Sequence, residues 1–277
     1  QEQYANLLED AVKLRMISDV PVGTTLSSGL DSSSLVALMR RSYQGEHNTY
    51  TAFSPKENFH ALENSIYKGD IDQDESSLVK MFAQQHNLKT HFVDTDHNDY
   101  MGQIDKLVYF LEAPHHSQSV VPLFQLMQRA SKDVKVVLEG QGADELLGGY
   151  ITLNAFAYSY SALKKAKFGE AFKNLSAVNK HYSLMHTFQS YIRALDINVA
   201  QKYFQSRSGY EKLYTGPIAN LPILKDSPFE CPGFDDDFNR HLHNQHTGTL
   251  VDLLHYGDRI SMANSLESRL PFMDYRL

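Results

Sequence analysis

The sequence predicts an α/β fold: a doubly wound parallel sheet followed by a mostly helical C-terminal region. Three observations carry that prediction. Short β-branched or apolar runs alternate with segments of helical periodicity from residue 4 to residue 140. Two of the apolar runs end in small, glycine-bearing turns, at 27–29 and 139–142. After Tyr150 strand-like alternation stops and helix formers dominate. The expected boundary is therefore near 150, with an α/β layer over 1–150 and a helical part over 151–277.

Residues 4–17 place Leu7, Leu8, Val12, Leu14 and Ile17 at helical spacing, which predicts a helix packed on the sheet. Val20, Val22, Thr24, Thr25 and Leu26 then form a strand. Ser27, Ser28 and Gly29 make a tight loop, and Leu30, Leu35, Val36, Leu38 and Met39 give the next helix. Gly45 closes that helical region, and residues 48–55 read as a second strand stopped by Pro55. Residues 56–73 are polar and irregular. Residues 74–88 read as a helix with acidic residues in its first turn, where the helix dipole favours them. Residues 90–95 are a short strand, helices are expected at 99–111 and 120–131, and 133–140 is a buried strand. Beyond 150, residues 151–213 are expected to be mostly helical. The proline-rich 216–236 reads as an extended excursion, and helix returns by Thr249.

Composition narrows the function. The 277 residues are 42% hydrophobic, enough for a real core. A net charge of −7 argues against a general nucleic-acid or anionic-membrane surface. The lone cysteine, Cys231, allows no intrachain disulfide and fits a reducing, cytoplasmic setting. Neither a signal peptide nor an apolar run of membrane-spanning length is present. The chain opens on Gln1, which is expected of an internal piece of a longer protein.

The loop at 27–34 carries the first functional signal. Gly29 permits close approach of a ligand, and Ser27, Ser32, Ser33 and Ser34 supply hydroxyl donors. The N–H groups opening the helix favour an anion. Asp31 would repel a phosphate directly, but a divalent cation between them removes the conflict. No Gly-Lys-Ser/Thr follows, so this is not a Walker A loop. It resembles the pyrophosphate loop, Ser-Gly-Gly-x-Asp-Ser, of enzymes that cleave ATP between the α- and β-phosphates. Ser28 stands where that pattern has glycine. The plainer alternative is a helix capped by Ser or Asp after a buried strand.

The second signal is EGQGADELLGGY, 139–150. Gly140 and Gly142 allow a tight turn, and Asp144 and Glu145 open a short helix. Ligands of open α/β sheets bind beyond the carboxyl ends of the strands, where Asp31 and Asp144 would both lie. The alternative is a glycine-rich turn with Asp144 as an N-cap. The third signal, 253–277, sets Asp258, Arg259, Glu267, Arg269 and Asp274 among apolar residues. Those charges form either an internal ion network or a site for a charged substrate.

Together the three stretches resemble the synthetase domain of glutamine-hydrolysing asparagine synthase. That family shows Ser-Gly-Gly-x-Asp-Ser-Ser, then Ser-Gly-Glu-Gly-x-Asp-Glu with Gly-Gly-Tyr, then Asp-Arg, Ser-Met-Ala and Glu-x-Arg-x-Pro-Phe-x-Asp. The resemblance is weakest over 151–248. It implies a sheet of the adenine-nucleotide α-hydrolase type. It places ATP contacts at Leu26, Ser27, Gly29, Asp31, Ser32, Ala52, Glu139 and Gly140, and magnesium at Asp31 and Asp144. Gln141 takes the catalytic position, and Glu267 and Arg269 are candidates for substrate contact. The implied chemistry is adenylation of a carboxylate, the aspartate side chain first, with loss of pyrophosphate, then amidation by ammonia from an N-terminal glutaminase domain. The resemblance also implies a lysine after the Pro-Phe-x-Asp motif, whereas the last lysine here is Lys225. This piece is therefore expected not to complete the reaction alone.

Two departures matter. Gln141 replaces glutamate, and an amide cannot act as a base near neutral pH. Glu139 replaces serine. Both resemble divergent members that amidate another acid. A degenerate nucleotide-binding module is the alternative from another class. Cys231 reads as a packing residue. His241, His243 and His246 read either as metal ligands or as a solvated polar segment, and His115 and His116 as structural or substrate-contacting loop residues.

Overall fold

A computed structural model of the chain describes residues 1–53, 75–95, 100–113, 117, 119–183, 185, 233–234 and 236–277. The polar stretch 56–73, His115, His116, Cys231 and most of 216–236 lie outside the described residues.

The chain clusters into two compact units. The first holds Gln1–Ala61, Asp72–Leu146 and Leu250–Leu277, and the second holds Leu62–Ile71 and Leu147–Thr249. Residues 250–277 thus stand with the α/β layer, and the 151–277 region of the sequence reading is divided between the units.

In the first unit the order is α1 (Glu2–Arg15), β1 (Val22–Thr25), α2 (Leu30–Ser42), β2 (Asn48–Phe53), α3 (Glu75–Gln85), β3 (Lys89–Asp94), α4 (Tyr100–Leu111), α5 (Val120–Ala130), β4 (Val136–Leu138) and α6 (Ala143–Leu147), which reaches the boundary. The five strands pair in the order β3-β2-β1-β4-β5, where β5 is Glu267–Arg269. Every pairing is parallel. The direction of strand addition reverses between β1 and β4, so the loops after these two strands flank the switch point.

Burial follows the pleat. Val137 of β4 joins a cluster with Tyr50, Phe124, Met127, Tyr256, Ile260 and Leu266 on one face. Val136 and Leu138 join Leu8, Val12, Leu35, Val36, Met39 and Phe272 on the other. All three β4 residues are buried. That is the reason this strand reads as a continuous apolar run rather than an alternating one. α1 and α2 cover one face. The other is covered by α4, α5 and the helix returning at the C-terminal end.

β5 is a strand the sequence reading lacks. Its residues Glu267, Ser268 and Arg269 are exposed or half-buried, so no apolar alternation marks them. Its place comes from backbone pairing of Val136, Val137 and Leu138 with Glu267, Ser268 and Arg269.

The second unit contains α7 (Ile151–Lys164), α8 (Phe168–His181) and α9 (Asp237–Thr247). Asn174 Nδ2 on α8 donates to Ala155 O and Ser159 Oγ on α7, each at 2.8 Å. Asp236 caps α9 by accepting from Phe238 N, and it also binds Ser161 Oγ and the Lys165 ammonium. α10 (Thr249–Ala263) begins at the boundary and leads back to β5. No described helix is long and apolar enough to cross a membrane.

Candidate active site

The loop after β1 is built by hydrogen bonds from both sides. Leu26 N donates to Tyr50 O at 2.9 Å, and Thr51 Oγ1 donates to Leu26 O at 2.7 Å. These extend the β1–β2 pairing one residue and bury Leu26. Ser27 then turns back on the helix. Its N–H donates to Ser32 Oγ at 3.0 Å, and its own Oγ lies 2.9 Å from that oxygen. Gly29 N donates to Ser27 Oγ at 3.2 Å. Gly29 is the N-cap of α2 in extended backbone, with no side-chain cap. The capped-helix alternative, with Ser or Asp closing the first turn, is thus not the arrangement adopted.

The loop after β4 sits directly against this one. A Cβ on Gly140 would come within 3.1 Å of Asp31 Cβ and 3.2 Å of Ser32 N. Both distances are tighter than an ordinary van der Waals contact, so a glycine suits this close approach of the two loops. Gly142 has φ +92, and a Cβ there would meet Met273 Sδ at 2.4 Å. The same turn therefore touches the Pro271–Met273 segment, a short 3₁₀ turn. Two stretches distant in sequence, 31–32 and 271–273, converge on 139–142.

The electrostatics are those of crowded carboxylates. Burial raises the Asp31 pKa, and the Glu145 charge raises it further. Burial, Asp31 and Glu145 together raise Asp144. Glu139 is buried and accepts a short hydrogen bond from the Ser268 hydroxyl; burial pushes its carboxyl up to about 6 despite that bond. Asp31 and Asp144 thus lie within Coulombic reach of each other at the carboxyl ends of β1 and β4. A divalent cation relieves such repulsion, with phosphate oxygens and water completing its shell. Among the described residues no cluster of three or more His, Cys, Asp and Glu forms a cage by itself. Two carboxylates suit magnesium, which keeps most of its ligands from phosphate and water.

Gln141 is half-buried in the turn. Ala52 is exposed on β2, one residue beyond the Thr51 that anchors the first loop. Glu267 and Arg269 are disposed differently. Arg269 Nη1 donates to Arg15 O at 2.8 Å and Ile17 O at 2.7 Å, and its Nε donates to Glu267 Oε1 at 2.8 Å. The guanidinium thus closes the carboxyl end of α1, as cations do at helix C-termini. With Leu14, Arg15, Ile17, Leu270 and Met273, this pair lines a cleft of about 630 Å³. Asp274 belongs to an ion network with Arg15 and Arg276, which resolves its place in the third motif. His241 is buried against Gln245 at 2.9 Å and His243 packs by the Phe234 ring, whereas His246 is exposed, so the segment is packed on one side and solvated on the other. Glu145 and Ser268 escape sequence reasoning as partners of the site.

Residues 3–277 match the family profile described as asparagine synthase. The chain belongs to the asparagine synthase family. Among curated members of related sequence, a Mycobacterium tuberculosis protein provisionally named glutamine-hydrolysing asparagine synthetase is 28% identical over 288 residues, covering 99% of this chain and 40% of the relative. Asparagine synthetase [glutamine-hydrolyzing] 1 of Bacillus subtilis is 26% identical over 286 residues, covering 99% of this chain and 42% of the relative. Amidase chry2 of Gibberella zeae is 23% identical over 307 residues, covering 98% of this chain and 44% of the relative. This asparagine synthase family chain thus spans about 40% of the length of the mycobacterial relative.

Proposed function

We propose that this chain is the synthetase part of an ATP-dependent amide-forming ligase. The observation that carries the reading is the close approach of Gly140 to Asp31 and Ser32, which joins the serine-rich loop and the second carboxylate at the switch point of the sheet. ATP lies along that crevice, contacted by Leu26, Ser27, Gly29, Asp31, Ser32, Ala52, Glu139 and Gly140. Asp31 and Asp144 hold magnesium, which neutralises phosphate charge. The acid's carboxylate attacks the α-phosphorus, pyrophosphate leaves, and an acyl-adenylate forms. Ammonia, supplied by a glutaminase domain in the full-length cytoplasmic protein, displaces AMP to give the amide. The chain's part is to align the reactants and to present N–H and hydroxyl donors to the phosphates.

Aspartate is the first acceptor to consider. A second reading, another carboxylic acid, is favoured by the neutral Gln141 and by the relative named as an amidase. Glu267 and Arg269 remain candidates for contact with that acid, through the cleft they line.

The test is pyrophosphate release by the full-length protein from ATP–magnesium, with ammonia or glutamine, across a panel of carboxylic acids. At least one acid should stimulate release, and Asp31→Asn and Asp144→Asn should each lower it by about 10²-fold or more. If no acid stimulates release, the ligase reading fails. Gln141→Glu separates the two acceptors: a gain with aspartate of about 10²-fold or more identifies the missing base as its limit.

A further inference from the structure

We propose that Ser32 is a positioning residue: its buried hydroxyl holds the Ser27 main chain, while the exposed Ser27 hydroxyl keeps the Gly29 N–H until a phosphate oxygen replaces it. The inference rests on the nucleotide-binding part of the ligase reading above.

Counting donors and acceptors separates the two serines. A hydroxyl offers one proton and two lone pairs. Ser32 Oγ accepts from Ser27 N at 3.0 Å and lies 2.9 Å from Ser27 Oγ. Its proton has Ser27 O at 3.2 Å and Gly29 O at 3.4 Å as acceptors. Ser27 Oγ takes the Gly29 N–H at 3.2 Å, which leaves its own proton for Ser32 Oγ. Both lone pairs and the proton of Ser32 are then used inside the loop. The residue is 7% exposed, so a phosphate oxygen would have to break one of these bonds to reach its hydroxyl. Ser32 thus ties the end of the β1 loop to the first turn of α2. Its own contact with phosphate is through the main-chain N–H, one of those that the start of an α-helix leaves without an internal partner.

Ser27 and Gly29 are disposed differently, since both are exposed. With one bond accepted and one donated, Ser27 Oγ keeps a lone pair outside the loop. Its hold on the Gly29 N–H, at 3.2 Å, is at the long end of the hydrogen-bond range. Phosphate is a charged acceptor, and charge-assisted bonds are shorter and about twice as strong. A phosphate oxygen therefore displaces the hydroxyl from Gly29 N, and the released Ser27 hydroxyl turns to donate to the same anion. The empty loop is shaped by its own oxygens, and Ser32 keeps that shape through the exchange.

The experiment is amide hydrogen exchange read by NMR on the full-length protein labelled with ¹⁵N-serine and ¹⁵N-glycine. No acid or ammonia is added, so ATP–magnesium stays intact. The Ser27 and Gly29 signals are assigned by their loss in Ser27→Ala and Gly29→Ala. In the empty protein, Ser32→Ala should speed exchange at Ser27 about tenfold. Ser27→Ala should speed it at Gly29, and ATP–magnesium should restore protection there. In wild type, ATP–magnesium should leave Ser27 protected as before. With an acid that supports turnover, Ser32→Ala should raise the KM for ATP about tenfold, while kcat and the KM for the acid hold. Unchanged Ser27 exchange in Ser32→Ala would overturn the positioning role. Gly29 left unprotected in nucleotide-bound Ser27→Ala would overturn the exchange of partners, and this arm reads out even if Ser32→Ala does not fold. The failures separate: a wild type that does not bind ATP–magnesium refutes the nucleotide reading, whereas the Ser27 result is obtained on the empty protein.

Discussion

A side chain at Gly140 would be crowded. The nearest obstacles to a Cβ are Asp31 Cβ and the Ser32 backbone nitrogen, 3.1 and 3.2 Å away. Backbone does not swing aside, so Gly140→Ala must push the first turn of α2 away from β4. Overpacking of this kind costs about 1–3 kcal/mol. The expected outcome is a folded protein with ATP affinity lowered about tenfold or more, checked by denaturant unfolding and nucleotide titration. Glu139 gives a second prediction at this scale. Its folded pKa, about 6, stands above the ordinary 4.5. The folded chain therefore keeps a proton that the unfolded chain releases. The stability from this group is complete below pH 4.5 and is lost as pH rises through 6. The loss is about 2 kcal/mol. Asp31 and Asp144, also raised, act in the same direction. Asp236, lowered to about 2, acts in the opposite one, but below its unfolded value of 3.8. Glu139→Gln should thus flatten the fall in unfolding free energy between pH 4.5 and 6.5. A profile parallel to wild type would refute the burial argument. Glu139 was legible in the sequence as a departure from the serine pattern. Its partner was not, because Ser268 lies 129 residues away on a strand without apolar alternation.

At the scale of elements, the third motif divides by partner. Asp274, 6% exposed in its side chain, takes Arg15 Nη1 at 2.9 Å, Arg276 Nε at 2.8 Å and Arg276 Nη2 at 2.9 Å. Arg276 continues to Asp10 at 2.6 Å. The motif's last residues are thereby clamped to α1, and the arginines hold the Asp274 carboxyl well below the usual carboxylate range. Breaking a buried pair leaves its partners uncompensated. Asp274→Asn should cost about 2 kcal/mol of unfolding free energy at pH 7, less than a fully buried pair because both arginines reach solvent. Adenylation should survive in conditions where the variant stays folded. Equal urea midpoints for variant and wild type would show that the clamp contributes nothing. The sequence left ion network and substrate site open for this stretch. Neither periodicity nor composition tells one from the other, because both put charge among apolar residues. What separates them is the direction of each side chain: Arg269 toward the carbonyls of Arg15 and Ile17, Asp274 toward Arg15 and Arg276.

At the scale of the whole molecule, the strand order β3-β2-β1-β4-β5 puts the loops after β1 and β4 side by side. This was legible, because Val20–Leu26 and 133–140 are apolar runs ending in small residues. The helical unit was legible in class but not in contact. Its polar buried set, Asn154, His241 and Gln245, comes from two helices far apart in the chain and has no sequence signature. The proposed function gives the crevice between the two loops the task of cleaving ATP. A site built to hold pyrophosphate and to expose the α-phosphorus cleaves ATP to AMP and pyrophosphate. A site that transfers the γ-phosphoryl group gives ADP and phosphate. The most direct measurement is therefore ³¹P NMR of the products formed by the full-length protein with ATP, magnesium, ammonia and an acceptor acid that stimulates turnover. AMP and pyrophosphate in equal amounts, matched by the amide, is the predicted result. ADP and inorganic phosphate as the acid-dependent products would contradict it.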